Sequence, residues 1–307
     1  MANQKVVLWI ALGFVGLLFF TLMLVALLFS SAGGESDADL GLSWSGAQLV
    51  VIELEGVILE SKPTLDLLKK YGESSAVKGI VLRIDSPGGG VAASQEIYAA
   101  VNRFRKETRK PVVASMGSVA ASGGYYVACA ADKIVANPGT ITGSIGVIAE
   151  WYNIGDLVRW AKLQDVVIKS GEMKDAPNPN RPLTEKERAY LQELIDEMYD
   201  QFLTVVSEAR KMSKEKVRPL ADGRVYTGST AQRHGLIDSV GTLQDSIDQA
   251  AKLAGIDGKP NVIYPKKRRL GLLDVILGGD ASMRDLLPAP FNTNPFHSQI
   301  VFEYLWR

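Results

Sequence analysis

The chain has 307 residues, with 34 lysines and arginines against 34 aspartates and glutamates, so no net field draws it to nucleic acid. A single cysteine excludes an internal disulfide, and two histidines beside it leave few ligands for a zinc site. Once about forty N-terminal residues are set aside, the remainder suits one large α/β domain or two small ones.

Residues 6–30 carry no charge and are almost wholly apolar. As a helix they span about 37 Å, enough to cross a hydrocarbon core of about 30 Å. A cleaved signal peptide has a shorter apolar region, about 7–15 residues. The segment therefore reads as an uncleaved single-pass anchor. Lys5 precedes it and Glu35, Asp37 and Asp39 follow. The positive-inside rule puts residues 1–5 in the cytoplasm and the remainder on the outer side. Residues 31–46, rich in glycine, serine and acids, read as a flexible linker.

The globular part is expected over residues 47–257. It opens with a strand from Gln48 and a short helix over 64–71. The apolar run Val77 to Ile84 is typical of a strand buried in a parallel sheet. Glycines 88–90 turn the chain into a helix over 93–106, with Ile97, Ala100, Val101 and Phe104 on one face. Strand, glycine turn and helix make an anion cradle. The glycine patterns of nucleotide-binding loops are absent, so an oxyanion donor at Gly89 or Gly90 fits better than phosphate.

Next comes a short strand over 112–115, a run of small residues, and Ser122-Gly123-Gly124 opening a helix over 125–131. A substrate backbone approaches closely only where side chains are absent, and a helix start aims free N–H groups at negative charge. Ser122 is thus either a nucleophile beside half of an oxyanion hole or a simple helix N-cap. Cys129 lies on the apolar helix that follows and reads as core filler.

A strand over 133–136 leads to a second tight turn of small and hydroxyl residues, 140–147. A helix over 156–162, a strand over 165–169 and a loop carrying Lys174 are then expected. Thr184 and Glu187 form a capping box for a long helix whose stripe from Leu191 to Ala209 is core. A last helix over 243–253 closes the domain. Alternating strands and helices imply a largely parallel sheet with helices outside. The tail, 258–307, carries Lys266 to Arg269, an apolar run, and IVFEYLWR; it suits either a membrane or partner surface or packing on its own domain.

A serine nucleophile needs a base. His234 and His297 give an imidazole triad little to draw on. A neutral lysine is the alternative, and deprotonating a free one at pH 7 costs about 4.6 kcal/mol. A dry pocket removes most of that cost. Lys174 stands out from the lysines on polar faces, the other reading being an ordinary exposed loop lysine.

Five ordered motifs behind the apolar N-terminal segment resemble the signal peptide peptidase A family of bacterial membrane serine peptidases, in its short single-domain form. They are Ile84 to Gly90, Met116 to Tyr126, Thr142 to Val147, Ser170 to Asp175, and Ala221 to Gly228. The resemblance implies a Clp-protease/crotonase-like α/β fold behind one N-terminal transmembrane helix. It implies Ser122 as nucleophile, Lys174 as general base, Ser144 orienting the lysine amine, and the N–H groups of Gly89 and Gly123 as the oxyanion hole, with no cofactor and no metal. It further implies a membrane-tethered ring in which neighbouring subunits supply serine and lysine, acting on remnant signal peptides and other extended apolar segments at the bacterial inner membrane. An isolated subunit is then expected to be inactive. Crowded alanines and glycines suggest small side chains before the cut. A crotonase-type acyl-CoA enzyme, a non-catalytic membrane scaffold and a SohB-like peptidase are the rival readings.

Overall fold

The computed structural model describes residues 48–265 and 302–305, together with Gly16, Leu17, Phe20 and Met23. Those four are helical and exposed, and no helix among the described residues is long and apolar enough to cross a membrane. The rest of the expected anchor, the linker, His297 and most of the tail lie outside the described residues.

The central strands are apolar on both faces, as strands with cover on each side must be. In β1 (Gln48–Glu55), Val50, Ile52 and Leu54 enter one cluster of buried side chains while Leu49 and Val51 enter a second. β2 (Val77–Ser86) splits likewise, Ile80, Leu82 and Ile84 against Val81. Helices α1 (Lys62–Glu73) and α2 (Val91–Thr108) cover the larger cluster, with Leu68, Ile97, Val101 and Phe104 buried in it. Between β2 and α2 lies the three-residue β3 (Gly88–Gly90).

β4 (Val112–Ala121) is longer than the short strand expected, and the reason is its composition. Its first half pairs in parallel with β5 (Lys133–Ala136) and its second half with β6 (Ile141–Gly143). The switch falls near Gly117, where a Cβ would come 2.6 Å from the Asp85 carboxylate. Small residues beyond that point let the backbone continue as a strand to the start of α3 (Gly123–Ala128). The strand therefore delivers Ser122 to the C-terminal end of a central strand of the sheet.

After β7 (Ile148–Ala149) and α4 (Gly155–Trp160), residues 165–169 form no strand, contrary to expectation. The apolar side chains that suggested one point outward, Val166 79% and Ile168 97% exposed, with no partner strand beside them among the described residues. The long helix α5 (Glu185–Arg210) has its expected capping box and buries Leu191, Phe202, Val205 and Val206. It is followed by α6 (Lys214–Val217), β8 (Val225–Thr227), α7 (Gly228–Arg233), β9 (Ser239–Val240), α8 (Leu243–Leu253) and β10 (Asn261–Ile263). α8 supplies Ile247, Ala250 and Ala251 to the second cluster.

Strand order in the main sheet is β10-β1-β2-β4-β5-β9, parallel throughout, with β6 branching from β4 and β8 antiparallel to β6. Near the C-terminus, β11 (Phe302–Leu305) lies antiparallel between β3 and β7 in a second, three-stranded sheet.

Candidate active site

Five non-glycine residues among those described take positive φ. Arg109 and Lys211 are the left-handed C-caps of α2 and α5, and Lys162 closes the turn after α4. Ser122 (φ 52°) and Ser144 (φ 50°) are left, and neither ends a helix. Such a backbone costs about 1–3 kcal/mol and persists only where its surroundings enforce it. Here they do. The Ser122 N–H donates to the Gly143 carbonyl at 2.8 Å, and the Ser144 N–H donates to the Arg224 carbonyl at 2.9 Å. Edge pairing of β4, β6 and β8 thus fixes the two serines at the ends of adjacent strands.

Ser122 occupies the N-cap position of α3, but its side chain makes no capping hydrogen bond. The helix-cap reading is set aside by that geometry. Both serines are buried.

Opposite Ser122, the glycine turn after β2 is held rigidly. Ser86 Oγ accepts from the Gly88 N–H at 3.0 Å. The Ile58 N–H donates to the Gly88 carbonyl at 2.8 Å, and the Gly90 N–H donates to the Ile58 carbonyl at 2.9 Å. Amides alternate along an extended chain, so the Gly89 N–H faces the other edge. A Cβ on Gly123 would lie 2.5 Å from Ser94 Oγ, and the Cα of Gly88 is its close neighbour. Only the absence of side chains lets these two turns meet.

Lys174 stands differently. It sits in a 3-10 turn, Glu172–Asp175, and is exposed. Its amine has no hydrogen-bond or ionic partner among the described residues. The chain's own fold therefore brings together Ser122, Ser144, Gly89 and Gly123, and does not bond Lys174 to them. The turn itself is pinned: Asp175 pairs with Lys169 and with Arg181 (3.1 Å), and Arg181 reaches Glu187 at 2.8 Å. The Arg181 guanidinium and then the Thr184 N–H hold the Glu187 carboxyl down at about 2. Lys169, Asn178 and Arg181 hold Asp175 well below the usual carboxylate range.

Two other candidates separate from the site. Burial pushes the Cys129 thiol up to about 12, so it carries no thiolate near neutrality. His234 is the exposed C-cap of α7, its ring edge-on to Tyr226 at 5.3 Å.

Residues 104–257 match the family model described as Peptidase family S49, and residues 66–140 match that of Clp protease. The chain belongs to peptidase family S49. This S49 serine peptidase is 40% identical over 237 residues to "Putative protease slr0021" of Synechocystis sp., covering 76% of the chain and 84% of that protein. It is 36% identical over 221 residues to "Putative signal peptide peptidase SppA" of Enterococcus faecium, covering 68% of the chain and 64% of that protein. It is 33% identical over 266 residues to "Serine protease SPPA, chloroplastic" of Arabidopsis thaliana, covering 81% of the chain and 39% of that protein. Membership in S49 decides for peptide hydrolysis over acyl-CoA chemistry or a non-catalytic scaffold.

One feature of the site had no local cue in the sequence. Tyr304, some two hundred residues from the glycine turn, is fully buried beside it. Only alternation in the tail segment FEYL hints at a strand, and nothing there names its partner.

Proposed function

We propose that this S49 peptidase is a membrane-tethered endopeptidase that degrades remnant signal peptides and other extended apolar peptides with a Ser122/Lys174 dyad. Ser122 Oγ attacks the peptide carbonyl, and the N–H groups of Gly89 and Gly123 receive the charge that develops on its oxygen. Lys174, uncharged, takes the serine proton and gives it to the leaving amine, then activates the water that releases the acyl-enzyme. Ser144 orients the lysine amine.

The reading is carried by the enforced positive φ of Ser122 and Ser144 on adjacent strand ends, next to the glycine turn. Strain maintained at two hydroxyl residues, with hydrogen bonds committed to holding it, is a mark of a working site.

A second copy of the chain supplies Lys174. The segment before the lysine exposes Tyr152, Leu157, Trp160, Val166 and Ile168, an apolar surface that a neighbouring subunit would cover. Covering it would also close the lysine off from bulk water. The 25 uncharged residues of 6–30 would hold the assembly at a bacterial inner membrane with the catalytic domain on the outer side. The name of the Enterococcus relative suits remnant signal peptides as substrates.

The test is hydrolysis of casein and of an apolar signal-sequence peptide by detergent-solubilised full-length protein, with fluorophosphonate labelling alongside. Wild type cleaves and is labelled at Ser122, Ser122→Ala does neither, and Lys174→Ala falls by several orders of magnitude. Undiminished turnover by Lys174→Ala would remove the lysine from the mechanism.

A further inference from the structure

The strands β10-β1-β2-β4-β5-β9 all run one way, so their starts lie at one end of the sheet. Ser122, following β4, lies at the other. The chain is neutral as a whole, but the end where the strands start is basic. Helix α2 runs down to that end and finishes with Arg105 and Lys106 in its last turn, and Arg109 and Lys110 lead on into β4. Lys78 lies at the start of β2, Lys252 in the last turn of α8, and Lys259 just before β10.

Some of the charge at this end is committed within the fold. Asp132 accepts from the Val112 N–H at 2.8 Å and pairs with Arg105. Asp238 pairs with Arg210 at 2.9 Å and with Lys133 at 3.3 Å. The Lys110 amine donates to the carbonyls of Gly72 and Ser74 at 2.8 and 2.7 Å, which cancels the negative end of α1. Burial first, and then the nearby charge of Lys78, lowers the Lys110 pKa. Lys70, Lys78, Lys106, Arg109, Lys252 and Lys259 remain exposed, with no ion pair among the described residues. Glu73, Glu107 and Asp257 are the exposed acids beside them, so positive charge is in excess.

That excess borders a cleft of about 560 Å³ between the end of α2, the start of β4 and the end of α8. Arg105, Lys106, Arg109 and Lys110 line it against one acid, Asp132. Leu253 forms an apolar lip, 47% exposed. Guanidinium and ammonium groups suit a phosphate, and the exposed leucine suits the hydrocarbon that a lipid phosphate carries with it. Gln48 opens β1 at this same end, so the chain coming from residues 6–30 enters the domain on its basic side.

We infer that this end of the domain docks on anionic phospholipid, the cleft of Arg105, Lys106 and Arg109 taking a headgroup phosphate and Leu253 meeting the acyl boundary. This rests on the chain being tethered to a membrane. The length of β4 then sets the height of the active site. Its ten residues, at about 3.3 Å each, hold Ser122 roughly 33 Å from the headgroups. A peptide reaches the serine only once it has left the bilayer.

The experiment reconstitutes the full-length chain into vesicles of phosphatidylcholine, alone or with phosphatidylglycerol, acylates exposed lysines and reads them by mass. Lys78, Lys106 and Lys252 are expected to react slower by about fivefold or more on the anionic vesicles, a difference that high salt abolishes. Lys62, at the start of α1 and hence at the Ser122 end, should react alike on both. Lys106→Glu combined with Arg109→Glu should remove the protection of Lys78 and Lys252 while casein turnover in detergent stays unchanged. Equal labelling on both vesicles, by protein that floats with both, overturns the docking face and leaves the tether standing. Flotation with anionic vesicles alone, reversed by salt, upholds the face and removes the tether. Protection by inorganic phosphate without anionic lipid makes the cleft a free-anion site and overturns the lipid surface.

Discussion

The N–H of Ser122 donates to the carbonyl of Gly143, the residue before Ser144, and this one bond ties the two strained serines together. It makes the geometry of the candidate nucleophile depend on strand pairing rather than on the helix that follows. Removing the strain and removing the hydroxyl should then have opposite consequences.

Ser122→Gly keeps the backbone path and drops the side chain that dislikes φ 52°. Relief of about 1–3 kcal/mol of strain, less about 0.4–1 kcal/mol of added freedom in the unfolded chain, leaves a net gain of about 1 kcal/mol. Denaturant unfolding should show the variant at least as stable as wild type, while peptide hydrolysis and fluorophosphonate labelling both vanish. A destabilised variant would mean the hydroxyl is structural.

Gly88→Ala places a methyl 1.9 Å from the Tyr304 carbonyl oxygen, at a φ of +103° that L side chains rarely adopt. Activity should fall by about 100-fold or more, because the methyl would also come 2.7 Å from the Gly123 nitrogen, one of the two proposed oxyanion donors. Gly139→Ala, where a Cβ meets nothing within 4 Å, should leave turnover unchanged. Parallel assays of the two variants check this.

Acid should loosen the turn that carries Lys174. Glu187 has its carboxyl lowered from an ordinary 4.5 to about 2, chiefly by Arg181. A lowered folded value means stability that is fully present above about 4.5 and lost as pH falls toward about 2. Asp175, lowered first by Lys169, works in the same direction. Thermal midpoints across that window should drop less steeply for Glu187→Gln than for wild type, and the variant should be the less stable protein at pH 7.

Cys129 should be inert. With its thiol raised to about 12 and its side chain buried, a colourimetric thiol reagent at pH 8 should react only after denaturation. Cys129→Ala should keep its peptidase activity, which separates this site from thiol chemistry.

The parallel sheet was legible because runs such as Val77 to Ile84 and the stripe of α5 carry their own periodicity. The Ser122 and Ser144 turns were legible because small residues clustered in sequence also cluster in space. The expected strand at 165–169 failed for an instructive reason: Val166 and Ile168 are apolar but exposed, and among the described residues no strand pairs with them. The packing of Tyr98, Tyr126, Phe202 and Tyr304 ring against ring was invisible, since they meet only through tertiary structure. Lys174 shares that limit, as no described residue of its own chain gives its amine a partner.

The most direct measurement mixes two dead proteins. Ser122→Ala and Lys174→Ala full-length chains, each inactive alone, are co-dissolved, allowed to exchange subunits, and assayed on casein and the apolar signal-sequence peptide. If neighbouring subunits complete each site, a ring of mixed subunits contains junctions where an intact serine meets an intact lysine, and turnover returns to a substantial fraction of wild type. Turnover that stays at the background of the separate variants, with mixed assemblies demonstrated by crosslinking, would contradict a site shared between chains.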